Sequence, residues 1–132
     1  MTKRTRILLA VLLSCGLSAF AQQQMADPNF QATVADPAYR ANGPKVVIDA
    51  GHNNVHTAAG GYKPFADLMT SDGYVIESNS APFQASALRG RQILVIVNAR
   101  GAGFDAPMQE RAKPAFTPQE CELVRMAQEG PN

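Results

Sequence analysis

Apolar residues along the chain gather into three short runs rich in β-branched residues, separated by segments with helical spacing. The runs are KVVID at 45–49, YVIE at 74–77 and ILVIVN at 93–98. Short, unbroken apolar runs of this kind are typical of strands that are buried on both faces. The pattern therefore predicts three strands, of which the third is the most apolar.

Two helices are predicted between and after these strands. In the segment YKPFADLMTSDG, at 62–73, Pro64 lies in the first helical turn and Gly73 ends the helix. Its apolar face is predicted to carry Phe65, Leu68 and Met69. A short helical turn at 85–88 precedes the third strand, and a long polar loop covers 99–116.

The last helix begins with a recognisable capping sequence. TPQE places Thr117 at the N-cap, Pro118 at the first helical position and Glu120 three residues after the cap. Strands that alternate with helices predict an α/β fold: a three-layer, flavodoxin-like parallel sheet with strand one in the centre. No strand follows the last helix, so we expect residues 45–132 to resemble the N-terminal half of a larger domain, preceded by an extended lead-in at 22–44.

The amino terminus has the pattern of a secretory signal peptide over residues 1–21. Basic residues at 3, 4 and 6 precede an apolar stretch, and Ala19-Phe20-Ala21 forms a cleavage motif. We therefore expect a periplasmic or secreted protein. A weaker alternative is lipidation at Cys15, which ends the lipobox-like LLSC.

Charge and cysteine content narrow the function classes. Cleavage after residue 21 would remove three basic residues and no acidic one, changing the net charge from +1 to −2. A nearly neutral chain of mixed charge argues against nucleic-acid binding, which needs a basic face. Cys121 would be the single remaining cysteine, so no internal disulfide is expected. The apolar amino-terminal stretch is too short for a transmembrane segment.

Polar side chains gather where the predicted strands end. Ligands bind α/β sheets outside the carboxyl ends of the strands. Gly51 is expected to supply a turn with positive φ in the loop after strand one. The candidate site residues on this edge are Asp49, His52, Asn53, Asn54, His56 and, after strand three, Asn98.

Three interpretations of this loop remain open. Asp49 and His52 can form an acid–base pair, with the asparagines and His56 binding a small polar ligand such as a carbohydrate. Asp49, His52 and His56 can instead hold zinc, as in a metal-dependent hydrolase. The third interpretation is ordinary turn chemistry in a non-catalytic interaction domain. We favour ligand binding without a cofactor.

Four segments together resemble a bacterial domain family of unknown function. They are IDAGHNNVHT, GGYKPFADLMTSDGYVI, APFQASALRGRQILVIVNA and FTPQECELVR, within about residues 36 to 125. The resemblance implies a class I glutamine amidotransferase-like fold but no established reaction. Family members continue beyond the last segment with another strand, so the resemblance also implies a truncated domain. An amidotransferase needs an activated cysteine, whereas Cys121 lies between two glutamates and is expected to be a small packing residue.

Overall fold

Three parallel strands form one sheet in the computed structural model, which describes residues 26–129. The strands are β1 (Lys45–Asp49), β2 (Val75–Asn79) and β3 (Ile93–Val95), in the order β2-β1-β3. Strand β1 pairs with both neighbours, so that Ile48 lies opposite Ser78 on one side and Val95 on the other. The predicted α/β class and the central position of strand one are confirmed.

Four helices connect and follow the strands: α1 (Lys63–Ser71), α2 (Ala85–Leu88), α3 (Met108–Arg111) and α4 (Pro118–Glu129). The first, second and fourth were predicted. Helix α3 lies inside the segment predicted as a loop and has no buried residue. The order strand, helix, strand, helix, strand gives the crossovers that parallel pairing requires.

The core lies between β1 and α1. Val46 and Ile48 are completely buried and pack with Ala66 of α1. Alternation along a strand places Val46 and Ile48 on the same face. Phe65 and Met69 pack against this cluster as predicted, but Leu68 is 45% exposed and does not belong to the buried face.

The third strand is shorter and more exposed than its sequence predicts. It ends at Val95 instead of residue 98, and Ile93 and Ile96 are 36% and 42% exposed. In a three-stranded sheet only the central strand has a neighbour on each side, so β3 forms an edge. The apolar run was therefore a correct signal for a strand but not for burial on both faces.

Helix α1 ends where the lead-in crosses it. Gly73 has φ of 92°, and the N–H of Tyr39 donates to the carbonyl of Asp72 at 3.1 Å. The rings of Tyr39 and Tyr74 stack edge to face with centroids 5.0 Å apart. Gly73 is thus the helix stop, as predicted, and the lead-in lies against the carboxyl end of α1.

The predicted signal peptide at 1–21, including Cys15, lies outside the described residues. Within residues 26–129, no helix combines the length and apolar character needed to cross a membrane.

Candidate functional site

The loop after β1 is organised by the carboxylate that ends the strand. Asp49 is fully buried, and its Oδ1 accepts a 3.1 Å hydrogen bond from the Gly51 N–H. Its Oδ2 accepts a 3.0 Å bond from the side-chain amide of Asn54. Gly51 does not have positive φ. It is needed because a Cβ there would lie 2.3 Å from the carbonyl oxygen of Ala81, which corrects the predicted reason for this glycine.

His52 lies between two carboxylates. Its Nδ1 is 2.9 Å from both oxygens of Asp49, and its Nε2 is 2.8 Å from Oε1 of Glu120 in helix α4. The imidazole is 5% exposed. An ionised carboxylate only accepts hydrogen bonds, so donation from both ring nitrogens requires the positively charged imidazolium. This Asp49–His52–Glu120 cluster joins the loop to a helix that begins more than sixty residues later.

Glu120 is the site residue that sequence reasoning assigned only to a helix cap. Its Oε2 accepts bonds from the N–H and hydroxyl of Thr117 at 2.9 and 2.8 Å, which confirms the predicted capping box. Its Oε1 accepts the His52 bond and a 2.9 Å bond from the Phe83 N–H. The capping box fully explained this glutamate at the sequence level, so no remaining signal pointed to its second role.

In both His52 and Glu120, hydrogen bonds and neighbouring charges together outweigh the effect of burial on the pKa. Burial lowers the pKa of His52, but hydrogen bonds to Glu120 and Asp49 and their negative charges raise it above the ordinary 6.5. Burial likewise raises the pKa of Glu120, but bonds from Thr117, His52 and Phe83 lower it to about 2. Glu120 is therefore ionised at neutral pH, and its charge favours the protonated form of His52.

Two aromatic rings pack against the imidazole. Phe83 and Phe116 lie with their ring centroids 4.8 and 4.5 Å from that of His52. The two phenyl rings are nearly parallel, with an interplanar angle of 6°. The low polarity of these rings strengthens the charge pairs beside them and helps to keep water away.

A rim of exposed polar groups lies above this buried cluster. We define the rim as residues 53, 55 and 98–101, whose backbones interlock. The carbonyl of His52 accepts from the N–H groups of Arg100 and Gly101 at 3.0 and 2.9 Å. The side-chain amide of Asn53 donates to Gly101 O at 2.7 Å, and the Val55 N–H donates to Asn98 O at 3.3 Å.

Two asparagines hold unusual backbone conformations in the rim. Asn53 and Asn98 have φ of 50° and 48°, in the left-handed region, and both are exposed. Asparagine tolerates this region better than most residues. Within residues 26–129, the side-chain amide of Asn98 makes no hydrogen bond with the protein.

His56 occupies a different environment from His52. Its ring is partly exposed and stacks on Tyr62, with centroids 5.7 Å apart and an interplanar angle of 28°. Gly61 leaves room for the His56 ring, because a side chain at residue 61 would place its Cβ 2.4 Å from Nδ1 of His56. The two histidines of the predicted site are thus divided between a buried charge cluster and an accessible surface.

The structure brings some predicted residues together and separates others. Asp49, His52 and Asn54 share the buried network, whereas Asn53 and Asn98 belong to the rim. Among residues 26–129, no group of three or more His, Cys, Asp or Glu side chains is arranged to hold a metal. The proposed zinc set of Asp49, His52 and His56 is therefore not assembled here, and zinc binding stays a prediction.

Cys121 follows Glu120 in α4 but is exposed. The expectation that it packs in the interior is wrong. Because Glu120 points to the buried cluster, its immediate neighbour on the helix faces outward.

Comparisons with protein-family models, with curated proteins and with solved structures find no match to this chain. The resemblance to an amidotransferase-like family therefore stays a prediction.

Proposed function

We propose that the protein binds a small polar ligand at the rim. The observation that carries this proposal is the interlocked rim itself, where Asn53 and Asn98 are exposed and both have positive φ. Non-glycine residues in such conformations gather at binding sites, where the surrounding structure holds them. The rim lies at the carboxyl ends of β1 and β3, where α/β sheets bind ligands.

The geometry of His52 supports binding over proton transfer. A general base needs a free nitrogen within hydrogen-bond reach of a substrate proton. Both ring nitrogens of His52 already face carboxylates, and the ring is 5% exposed. We assign the Asp49–His52–Glu120 cluster to holding the loop in shape beneath the rim, and His56 to the accessible surface.

The accessible groups suit a ligand rich in hydroxyls. Asparagine amides both donate and accept hydrogen bonds, and so does a neutral imidazole through its two nitrogens. The stacked rings of His56 and Tyr62 add an aromatic surface beside these polar groups. A monosaccharide has this combination of hydroxyls and apolar C–H faces. An exported protein would meet such ligands outside the cytoplasm.

The proposal can be tested with a matched pair of asparagine substitutions. Asn98→Gly removes the rim amide and keeps a residue that accepts positive φ. Asn42→Gly is the control, because Asn42 is also exposed and has φ of 53° but lies in the lead-in. Binding of glucose and other neutral monosaccharides is followed by shifts of assigned backbone amide signals in NMR titrations.

We expect shifts confined to the rim and the His56–Tyr62 stack, weakened at least several-fold by Asn98→Gly and unchanged by Asn42→Gly. Equal effects of the two substitutions, or shifts elsewhere on the surface, would contradict the proposal. The metal-dependent hydrolase makes a separate prediction: the purified protein contains stoichiometric zinc, which His56→Ala removes without unfolding the chain.

A further inference from the structure

One positive charge in the rim has no partner. Arg100 uses its Nε to donate a 3.2 Å hydrogen bond to the carbonyl of Asn53. Its Nη1 is buried and has no hydrogen-bond partner. No carboxylate of residues 26–129 lies within ion-pair distance of its guanidinium, and the two carboxylates of the buried cluster, Asp49 and Glu120, are both engaged by His52.

The guanidinium is nevertheless held in position. Its Cζ lies 3.4 Å from the centroid of the Phe104 ring, and its backbone N–H is bonded to the His52 carbonyl. A guanidinium stacked on an aromatic ring and bonded through Nε has few orientations available. Its two terminal nitrogens, of which Nη1 is buried, have no acceptor among residues 26–129.

An unpaired buried donor on a permanently charged group is unfavourable and calls for an explanation. The group that matches the free edge of a guanidinium is a planar carboxylate or a phosphate, which accepts two parallel hydrogen bonds. Phe104 covers one face of the guanidinium and is itself 69% exposed. The edge of the guanidinium is therefore the direction from which an oxyanion would approach.

We propose that Arg100 is the anion-binding residue of the rim, so that the ligand is a small polar molecule bearing a carboxylate or a phosphate. This inference rests on the proposed ligand binding at the rim and adds the chemical class of the ligand. The Asn53 and Asn98 amides contact the polar part of the ligand, while Arg100 binds its charged end.

Three probes of similar size separate charge from shape. Glucose is neutral, glucuronate adds a carboxylate and glucose 6-phosphate adds a phosphate. Each is titrated into the protein at one constant ionic strength, with the rim amides and the Arg100 Nε–H followed by NMR. We expect at least one of the anionic probes to bind about tenfold or more tightly than glucose, as a charge-assisted bidentate contact implies. The stronger of the two identifies the oxyanion.

Substitutions then test whether Arg100 is the residue that binds the anion. Arg100→Gln should remove the preference for the anion. Arg100→Lys should keep only a part of it, because lysine retains the charge but not the two parallel N–H donors of the guanidinium. Arg111→Gln is the matched control, since it removes an exposed positive charge from helix α3 on the same connecting segment. Thermal unfolding checks that each variant is folded.

The outcomes distinguish this inference from the function on which it rests. If glucose shifts the rim and the anions bind no more tightly, or if Arg100→Gln leaves the preference intact, the anion site is refuted while ligand binding stands. If only the anions shift the rim, the inference holds and the ligand is restricted to them. If no probe shifts the rim, both are refuted for this ligand class, and water is the partner of Nη1.

Discussion

Replacing Glu120 with glutamine tests the central feature of the site. The amide keeps the shape of the carboxylate but removes its charge and turns one acceptor atom into a donor. Glu120 accepts four hydrogen bonds, from His52, Phe83 and two groups of Thr117. In whichever orientation the amide takes, its NH2 group faces a donor that previously met an oxygen. The imidazolium also loses one of its two counter-charges.

The expected loss of stability in the Glu120→Gln variant can be estimated from these contacts. A hydrogen bond that involves a charged group contributes about 1.5–3 kcal/mol, and leaving a buried donor unpaired costs about 1–3 kcal/mol. Removing one partner of a buried ion pair costs about 3–5 kcal/mol. Asp49 still pairs with His52, and the glutamine retains some bonds. We therefore expect Glu120→Gln to lower the free energy of unfolding by about 2–4 kcal/mol.

Urea denaturation followed by far-UV circular dichroism at pH 7 measures this loss. With a slope of about 1–2 kcal/mol per molar urea, the midpoint should fall by roughly 1–4 M. Glu122→Gln is the matched control. Glu122 lies two residues further along the same helix, but it is exposed and pairs with Arg125 on the surface. Exposed ion pairs contribute little, so the control should keep the wild-type midpoint.

A Glu120→Gln midpoint as close to wild type as that of Glu122→Gln would refute the reasoning. It would mean that the carboxylate serves only the helix cap and that His52 does not depend on it. A fall in the midpoint together with a smaller slope would instead indicate a loosened native state, and amide signals of the loop after β1 would then show where the loosening occurs.

Three further predictions concern stability and charge. The pKa of Glu120 is lowered from 4.5 to about 2, so its contribution to stability is present above pH 4.5 and is lost as the pH falls toward 2. The pKa of His52 is raised, so its contribution is fully present below pH 6.5 and is lost as the pH rises through the pKa that His52 has in the folded protein. Urea midpoints should therefore be highest between pH 4.5 and 6.5, and His52→Gln should abolish the alkaline decline. Gly73→Ala should destabilise the protein by several kcal/mol, because the new Cβ would lie 1.8 Å from the Tyr39 carbonyl oxygen. Gly90→Ala is its control, with φ of 71° and nothing within 4 Å of the Cβ, and should cost only about 1–2 kcal/mol for the left-handed backbone. A 15N NMR titration should show the imidazole of His52 losing its charge only above the ordinary pKa of 6.5; a midpoint at or below 6.5 would contradict the two-carboxylate contact.

Local patterns in the sequence predicted the α/β class and the three strands of the fold. β-branched runs located all three strands, and the capping sequence at Thr117 located the start of α4 to the residue. The exposure of β3 could not be read from its own residues, because a strand becomes an edge only through the number of its neighbours. The same limit applies to Leu68, whose spacing suited the apolar face of α1.

The candidate site was predicted less completely than the fold. Asp49 and His52 are three residues apart in sequence and form the expected pair. Glu120 could not be found, because its bond to His52 spans 68 residues and its capping role already explained its presence. The separate place of His56 depends on its stacking with Tyr62, which no spacing rule indicates. Contacts between distant segments therefore account for most of what the sequence did not predict.

The bond between His52 and Glu120 also determines when the loop after β1 can take its final shape during synthesis. A nascent chain that has emerged as far as residue 116 contains all three strands and both phenyl rings, but not the second carboxylate. Until helix α4 has emerged and closed this long loop of chain, the charged imidazole has only Asp49 as a partner. The rim is thus completed late, after the sheet that supports it has had the opportunity to form.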